Sequence, residues 1–245
     1  MTASPVRLLI HGASGRMGRA LLRLAAADAR FDLVAAVSQS GSAIEGSSVP
    51  VFQATDLARC PPFDVAIDFS LAPGFDAVLA ACLERKAALV SGTTGLDDWQ
   101  RSQLSAAGSR IPVLWASNFS LGVVVLEDLV RRASLALREW PVAITETHHV
   151  HKKDAPSGTA ITLARAASQG HGATPAIHSV RKGEVVGEHV VSFSGPGETL
   201  ELTHRATDRD VFSRGALEAA LRLHGCSAGF WSLSALVLPW QAGLD

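Results

Sequence analysis

Residues 6–18 read Val-Arg-Leu-Leu-Ile-His-Gly-Ala-Ser-Gly-Arg-Met-Gly. The apolar run at residues 6–10 predicts a buried strand, and glycines follow at positions 12, 15 and 18. This spacing is a variant of the dinucleotide-binding fingerprint. In that fingerprint Gly12 permits a tight turn, Gly15 lets the backbone approach a pyrophosphate, and Gly18 lets a helix pack closely on the strand.

The residues around this turn favour a nucleotide-binding unit over an ordinary glycine loop. Met17, Leu21 and Leu24 fall at helical spacing and predict an amphipathic helix after the glycines. Apolar and β-branched runs predict four further strands, at residues 31–37, 64–69, 87–90 and 111–115. Helices are predicted between them, at about residues 73–84 and 99–107. Alternating strands and helices predict a Rossmann-type, doubly wound parallel sheet of the α/β class.

Two polar loops follow predicted strands of this sheet. They are Ser-Gly-Thr-Thr-Gly at residues 91–95 and Ala-Ser-Asn-Phe-Ser at residues 116–120. In doubly wound sheets a ligand lies beyond the carboxyl ends of the strands, so we expect both loops near the nicotinamide half of a cofactor. The same composition is also typical of polar loops that bind nothing.

The residues after the second strand bear on the choice of cofactor. An NAD site usually places an acid there to hold the ribose hydroxyls, but this chain has Ser38 and Gln39. No carboxylate would repel a 2′-phosphate, and Arg16 in the first loop could pair with it. The sequence therefore favours NADPH, although NADH stays open because no second arginine follows the strand.

A second informative stretch, residues 146–160, reads Glu-Thr-His-His-Val-His-Lys-Lys-Asp-Ala-Pro-Ser-Gly-Thr-Ala. The run before it, residues 142–145, predicts a strand, and the run after it predicts a helix. Ser157 is the predicted N-cap, so the amides of Gly158 and Thr159 in the first turn could hold an anion. Histidines, lysines and a helix start within one loop suit a small substrate that bears carboxylates.

Two other interpretations of this stretch stay open. Pro-Ser-Gly-Thr is also an ordinary helix start. A zinc site built from His148, His149, His151 and Asp154 is disfavoured, because adjacent residues on a strand point to opposite faces and no cysteine lies nearby. We therefore predict no metal.

The second half of the chain changes character. A long helix is predicted at residues 121–137 from apolar residues at helical spacing, namely Leu126, Leu129, Val130, Ala133 and Leu137. Residues 177–204 are rich in valine and glycine and predict antiparallel strands, among them residues 185–193 and 200–204. An exposed face of such a sheet could join subunits into an oligomer.

We therefore expect two domains. Residues 1–119 form the dinucleotide-binding domain, with residues 210–245, including a helix at 210–223, packing back on it. Residues 120–209 form a smaller α+β domain for substrate binding and oligomerisation, with a mixed or antiparallel sheet.

Composition excludes several classes of function. The chain of 245 residues is 47% hydrophobic and 18% charged, with a net charge of -1, so we expect no nucleic-acid partner. No run approaches the apolar length of a membrane helix, and no secretory signal opens the chain, so we expect a cytoplasmic protein without a membrane partner. Three widely spaced cysteines fit a reducing compartment.

With both halves in view, the sequence resembles the 4-hydroxy-tetrahydrodipicolinate reductases, also called dihydrodipicolinate reductases, of bacterial lysine and diaminopimelate synthesis. The likeness runs nearly end to end, and residues 146–159 are its most specific part. Residues 12–18, 91–95 and 117–122 resemble the family's cofactor loops. His204-Arg-Ala, with Arg209 and Gly215-Ala, resembles the end of its substrate domain.

This resemblance implies NAD(P)H-dependent reduction of a cyclic imine dicarboxylate, 4-hydroxy-tetrahydrodipicolinate, to tetrahydrodipicolinate by a homotetramer. It implies that His148 is the proton donor or acceptor, that Lys152 is the second donor, and that His149, Gly158 and Thr159 bind substrate. The implied cofactor-binding residues are Gly12, Ala13, Ser14, Gly15, Arg16, Met17, Ser38, Gln39, Gly92, Thr93, Thr94, Ala116, Ser117, Asn118 and Phe119. Positions 38 and 39 depart from the acid and arginine that the family often carries there.

Two rival hypotheses remain at the level of sequence. A homoserine- or aspartate-type dehydrogenase would share the fold but would give the histidine–lysine run no special purpose. A nucleotide-sensing regulator would bind the cofactor yet tolerate the loss of His148 and Lys152.

Overall fold

A computed structural model describes residues 4–238. The chain divides into two compact units. The first comprises the described residues up to Phe119 and from Phe212 onward, and the second comprises Ser120–Val211. The last seven residues of the predicted C-terminal segment, 239–245, lie outside the described part.

The first unit is built on a seven-stranded parallel sheet. Its strands are β1 (Val6–His11), β2 (Phe31–Val37), β3 (Val51–Phe52), β4 (Val65–Asp68), β5 (Ala88–Ser91), β6 (Pro112–Trp115) and β11 (Gly229–Trp231). The strand order is β11-β6-β5-β4-β1-β2-β3. This order contains the Rossmann arrangement and confirms the predicted fold class.

Helices connect and cover these strands. They are α1 (Arg16–Ala26), α2 (Ala72–Arg85), α3 (Asp98–Ala107), most of α6 (Asp210–His224) and α7 (Leu233–Val237), with a 3-10 helix at Ala54–Arg59. The start of α3 shows why a helix begins there. The Asp97 carboxylate accepts a hydrogen bond from the Gln100 amide at 2.8 Å, and the Gln100 side chain accepts one from the Asp97 amide at 3.3 Å.

The second unit pairs two helices with a four-stranded sheet. The helices are α4 (Leu121–Ala136) and α5 (Gly158–His171), and the strands are β7 (Val142–His148), β8 (Ala176–Arg181), β9 (Gly187–Gly195) and β10 (Glu198–Ala206). The strand order is β10-β9-β7-β8. β9 runs antiparallel to both β7 and β10, whereas β8 runs parallel to β7, so the sheet is mixed.

One face of this mixed sheet changes from apolar to polar along its length. Alternate residues of a strand share a face, so Ile144, Glu146 and His148 of β7 lie on the same side. Ile144 is fully buried in a core with Leu163 of α5 and Val191 of β9. Two and four residues further along β7, the same face carries a carboxylate and an imidazole. Glu146 and His148 therefore lie at one end of a hydrophobic core.

The structure corrects several details of the predicted elements. β3 and β11 were not predicted as strands, because each is only two or three residues long and takes its hydrogen bonds from distant partners. Leu129 is 42% exposed and does not belong to the buried face of α4, which carries Val123, Leu126 and Val130. Among the described residues, no helix combines the length and the hydropathy that a membrane span requires.

Candidate active site

The glycine turn after β1 has the shape that a dinucleotide pyrophosphate needs. Gly12 adopts φ +77, and a Cβ added to it would lie 2.4 Å from the carbonyl oxygen of Phe69. The Gly15 amide donates to the Gly12 carbonyl at 3.0 Å, which closes the turn. A Cβ on Gly18 would lie 2.3 Å from the same Gly12 oxygen, so α1 approaches the turn as closely as a glycine allows. These residues fit the backbone requirements of a nicotinamide dinucleotide.

Phe69 connects the three predicted cofactor loops, and sequence reasoning missed it. Its carbonyl abuts the Gly12 turn, and a Cβ on Gly92 would lie 2.2 Å from its ring. Its ring also packs edge-on against Phe119, with the centroids 5.3 Å apart. The loops after β1, β5 and β6 therefore meet around one aromatic side chain. No local signal marks Phe69, because its role arises from the order of strands in the sheet.

A buried polar network lies under the same loops. Asp68, at the end of β4, is fully buried and accepts hydrogen bonds from Ser91 Oγ at 2.9 Å and Thr93 Oγ1 at 2.8 Å. Its other oxygen lies 2.8 Å from His11 Nδ1 and accepts from the Ser70 amide at 3.0 Å. Burial alone would raise the pKa of Asp68, but these hydrogen bonds outweigh it and lower the pKa. The network fixes Thr93, one of the predicted cofactor residues.

The other predicted cofactor residues differ in their exposure. Ala13 is buried and Ser14 is exposed in the glycine turn, Met17 is half-buried, and Thr94 and Ser117 are exposed. Ala116 and Asn118 are half-buried at the end of β6. Only some of these side chains are therefore exposed enough to contact a ligand.

Of the three residues that bear on cofactor choice, Arg16 lines a cationic cavity. Ser38 is 4% exposed and its hydroxyl accepts from the Gly41 amide at 3.1 Å, whereas Gln39 is exposed. A cavity of about 390 Å³ lies between the first turns of α1 and residues 44–47. Its charged lining residues are Arg16, Arg19, Arg23 and Glu45. Positive charge therefore outweighs negative charge in this cavity.

In the second unit, two rows of side chains cross the polar end of the sheet. Strand register places Glu146 of β7 beside Ser179 of β8 and His189 of β9. The next row places His148 beside Arg181 of β8, and a Cβ on Gly187 of β9 would lie 3.1 Å from His148 Nε2. The glycine leaves room for the histidine ring. These rows assemble residues that are far apart in the sequence.

Glu146 and His148 form the central pair of this cluster. Glu146 Oε2 is hydrogen bonded to His148 Nδ1, and Arg181 Nη2 donates to Glu146 Oε1 at 2.9 Å. Burial would raise the pKa of Glu146, but the hydrogen bonds from Arg181, Ser179 and His148 overcome it and lower the pKa to about 2. Glu146 is therefore a carboxylate at neutral pH.

The pKa of His148 responds to competing effects. Burial lowers the pKa of His148, the hydrogen bond and the negative charge of Glu146 raise it, and the charges of Lys152 and Arg181 lower it again. The net direction is downward. At neutral pH in the free protein His148 is then a neutral imidazole whose Nδ1–H donates to Glu146. Its Nε2 is the atom that remains for chemistry.

The row that contains Glu146 and His189 continues to one more histidine, His204. The ring of His189 packs edge-on against His148 with centroids 5.2 Å apart, and the rings of His189 and His204 are 6.2 Å apart. Burial and the charges of His148 and His204 lower the pKa of His189 to about 4, and burial lowers the pKa of His204. Within the described residues, the Nδ1 atoms of both histidines are buried without a hydrogen-bond partner. His189 Nε2 lies 3.3 Å from Ser157 Oγ.

The predicted substrate loop leads from this cluster into α5. Ser157 is the N-cap, as predicted, because its hydroxyl accepts from the Ala160 amide at 3.2 Å. Lys152 Nζ lies 2.8 Å from Asp154 Oδ1. Gly158 is exposed, and beyond its chain neighbours and its own helix backbone no described atom lies within 4 Å of where its Cβ would be.

Two more of the predicted substrate-binding residues lie in this loop and in the first turn of α5. His149 and Thr159 are half-buried. The rings of His149 and His151 are 6.1 Å apart. Across residues 4–238, no group of three or more histidine, cysteine, aspartate or glutamate side chains has the arrangement of a metal site. The structure thus brings His148 and Lys152 into one cluster, while the substrate contacts of His149, Gly158 and Thr159 stay predictions.

Sequence reasoning did not assign a role to Glu146 or Arg181. Glu146 could have been found, because residues two apart on a strand share a face and Glu146 precedes His148 by two. Arg181 lies 33 residues after His148 and reaches it only through the parallel pairing of β7 and β8. No local pattern marks that pairing.

The fold and the two clusters together define a class of protein. A Rossmann sheet with a glycine turn, followed by a unit that carries a buried carboxylate–histidine pair, is typical of a nicotinamide-dinucleotide-dependent oxidoreductase. Comparison with known proteins agrees with this class. Family models described as dihydrodipicolinate reductase, N-terminus and C-terminus, match residues 6–119 and 122–237. The chain belongs to the dihydrodipicolinate reductase family.

Individual relatives cover nearly the whole chain. A 4-hydroxy-tetrahydrodipicolinate reductase of Xanthomonas campestris pv. campestris is 58% identical over 97% of this chain and 100% of its own length. One from Stenotrophomonas maltophilia is 56% identical over the same shares of both chains. Among solved structures, a dipicolinate-bound dihydrodipicolinate reductase from Paenisporosarcina sp. TG-14 is similar with a TM-score of 0.81 at 22% identity, covering 93% of this chain and 97% of that one.

Proposed function

We propose that this chain reduces 4-hydroxy-tetrahydrodipicolinate to tetrahydrodipicolinate with NAD(P)H, in lysine and diaminopimelate synthesis. The observation that carries the proposal is the buried Glu146–His148 pair at the end of β7, beside Lys152. Membership of the dihydrodipicolinate reductase family supplies the substrate class, a cyclic imine with two carboxylates.

The first unit would hold the cofactor, which supplies the hydride when bound. The residues proposed to hold it are those in loops 12–17, 92–94 and 116–119, together with Ser38 and Gln39. Gly12 and Gly15 would let the backbone approach the pyrophosphate, and the Asp68 network would keep Thr93 in place. The Ser38 oxygen accepts from the Gly41 amide, so its hydroxyl hydrogen and its second lone pair are left for a cofactor contact.

Each proposed residue in the second unit has a distinct task. The 4-hydroxyl of the substrate would leave as water before or during the reduction. His148 would give a proton from Nε2 to the ring as the imine accepts a hydride, so that charge does not accumulate. Glu146 would stabilise the imidazolium that binding of a dianionic substrate favours. Lys152 would neutralise a substrate carboxylate in exchange for Asp154, and the amides of Gly158 and Thr159, with His149, would bind the other.

We further propose NADPH as the preferred cofactor. In Rossmann folds the adenosine 2′ position lies near the end of the second strand and the start of the first helix. In this chain Arg16 lies in the first turn of α1, and three of the four charged residues that line the cavity there are arginines. A homotetramer in the cytoplasm is the remaining part of the proposal, supported by the exposed side chains along the outer strands β8 and β10.

An assay with the imine generated in situ tests the function. NADPH oxidation, followed by absorbance, should require the imine and should exceed oxidation of NADH at equal concentration. An aspartate- or homoserine-type dehydrogenase would instead reduce NADP⁺ or NAD⁺ with the amino acid. A nucleotide-sensing regulator would bind NADPH and turn over neither substrate. Either of these results would overturn the proposal.

A further inference from the structure

Arg181 makes more contacts around the candidate site than either residue predicted to act there. Register places it beside His148 on the neighbouring parallel strand, and its side chain is 20% exposed. Nη2 donates to Glu146 Oε1 at 2.9 Å and to the backbone oxygen of Asp154 at 2.5 Å. Nε donates to the backbone oxygen of Lys152 at 3.4 Å. One guanidinium therefore touches both the carboxylate that holds His148 and the turn that carries Lys152.

We propose that Arg181 is a positioning residue that sets the protonation of His148 through Glu146 and holds Lys152 in place through the carbonyls of its turn. The proposal rests on the proposed function, because it assigns Arg181 a part in that same reaction. Arg181 is not proposed to touch the substrate.

The electrostatic part of the proposal follows from how Glu146 is shared. A carboxylate has two oxygens, and here one is bonded to His148 and the other to Arg181. The charged and titratable groups that face His148 are Glu146 on its own strand, Arg181 on β8, His189 on β9 and Lys152 in the following loop. Glu146 favours the imidazolium and Arg181 opposes it. Arg181 thus limits how far Glu146 raises the proton affinity of His148, which must release its proton to the substrate.

The mechanical part follows from the geometry of a guanidinium. Its planar fork can donate to a carboxylate and to two backbone carbonyls at once. The turn at residues 149–154 is held elsewhere by backbone bonds from Lys182 to the His148 carbonyl at 2.8 Å and from Val150 to the Gly183 carbonyl at 3.1 Å. Arg181 adds a hydrogen bond to the Lys152 carbonyl oxygen itself and one to the Asp154 carbonyl oxygen. A lysine at this position would keep the charge but could not span all three acceptors.

Two variants separate these parts, and a third serves as a matched control. Arg181→Lys keeps the positive charge near Glu146 and loses the fork. Arg181→Met loses both charge and fork while keeping most of the side-chain volume. Arg101→Met removes an exposed arginine of α3 in the first unit, which pairs with Asp98 at 3.0 Å. This control tests whether loss of any arginine–carboxylate pair has the same effect.

The expected results differ for titration and for kinetics. In NMR titrations of the His148 ring in the substrate-free protein, Arg181→Met should raise the pKa of His148 and Glu146→Gln should lower it, while Arg181→Lys leaves it near the native value. In steady-state assays, Arg181→Lys should mainly raise KM for the imine, by about tenfold, because one lost charge-assisted hydrogen bond corresponds to that factor. Arg181→Met should lower kcat/KM by about 10²-fold. Arg101→Met should match the native protein in every measurement.

The titration does not depend on turnover, so the outcomes are distinguishable. If the native protein fails to reduce the imine, the proposed function is wrong, and the His148 titrations still decide whether Arg181 controls its protonation. If the native protein is active but Arg181→Met leaves both the His148 pKa and kcat/KM unchanged, the positioning role is wrong and the function stands. Should Arg181→Met not fold by circular dichroism, Arg181→Lys decides: an unchanged KM overturns the proposal.

Discussion

The imidazole of His148 is bonded through Nδ1 to the carboxylate of Glu146, two residues earlier on the same strand. Because β-strand side chains alternate, this separation puts both groups on one face of the sheet. The carboxylate is fully buried, which keeps its bond to the ring from exchanging with water. The pair fixes which nitrogen of His148 carries a proton and which is available, and the first prediction concerns that nitrogen.

Replacing His148 by glutamine should lower kcat by about 10²- to 10⁴-fold, because an amide cannot transfer a proton at this position. The affinity for NADPH should not change, since the glycine turn of the first unit is intact. Steady-state assays and a fluorescence titration with NADPH measure the two effects. His151→Gln is the control, because its side chain lies three residues away in the same loop and is 77% exposed. Equal loss in both variants would contradict a specific role for His148.

The buried histidine beside this pair predicts a dependence of stability on pH. The pKa of His189 is about 4 in the folded protein against 6.5 for a free histidine. Because the folded pKa is lower, the unfolded chain binds more protons between these values. Stability is then complete above about pH 6.5 and falls as pH decreases towards 4, by about 3 kcal/mol in total.

Urea titrations at several pH values measure how the free energy of unfolding depends on pH. The unfolded fraction of β9 is read by moving each sample to one fixed pH for a short pulse of hydrogen exchange. His189→Gln should flatten the loss of stability between pH 6.5 and pH 4. The exposed His178 of β8 provides the control variant His178→Gln, which should retain the native slope. A native slope in His189→Gln would show that another group causes the acid sensitivity.

A methyl group on Gly12 should prevent binding of the dinucleotide. Gly12→Ala forces a residue with φ +77 to accept a Cβ that would lie 2.4 Å from the Phe69 oxygen. We expect the affinity for NADPH to fall more than about tenfold, as measured by calorimetry. Gly172→Ala imposes the same kind of backbone strain at φ +75, where no described atom beyond the chain neighbours lies within 4 Å of the new Cβ. Binding in that variant should stay native.

Arg16 should distinguish the two nicotinamide cofactors. If the cationic cavity beside α1 accepts a 2′-phosphate, Arg16→Ala should raise KM for NADPH by about tenfold and leave KM for NADH unchanged. The comparison of the two cofactors within one variant is an internal control for folding. The exposed Arg110, after α3, gives a second control through Arg110→Ala. Equal changes for NADPH and NADH would place Arg16 away from the phosphate.

Several features of the fold and of the cluster were accessible from local sequence. The glycines at 12, 15 and 18 form a turn too tight for side chains, and strands that alternate with helices predict a parallel sheet. Ser157 was identifiable as an N-cap because the chemistry of a helix start is local. The antiparallel pairing of β9 and β10 was predicted from a valine-rich, glycine-punctuated run and is confirmed.

Other features depend on contacts between distant residues, and no local pattern encodes them. Leu129 has the spacing of a core residue, but its exposure depends on which elements pack against α4. The parallel pairing of β7 and β8 brings Arg181 to Glu146, and the sheet order brings Phe69 to Gly92.

The sequence by itself determined the class of the sheet, the glycine turn and the identity of the histidine–lysine stretch, because each follows from propensities and spacings within a few residues. Tertiary structure alone decided that Glu146 is a buried carboxylate shared between His148 and Arg181, and that Asp68 joins the loops of three strands. The physical reason is that pKa and hydrogen bonding depend on burial and on neighbours across a sheet. Those neighbours are set only when distant strands pair.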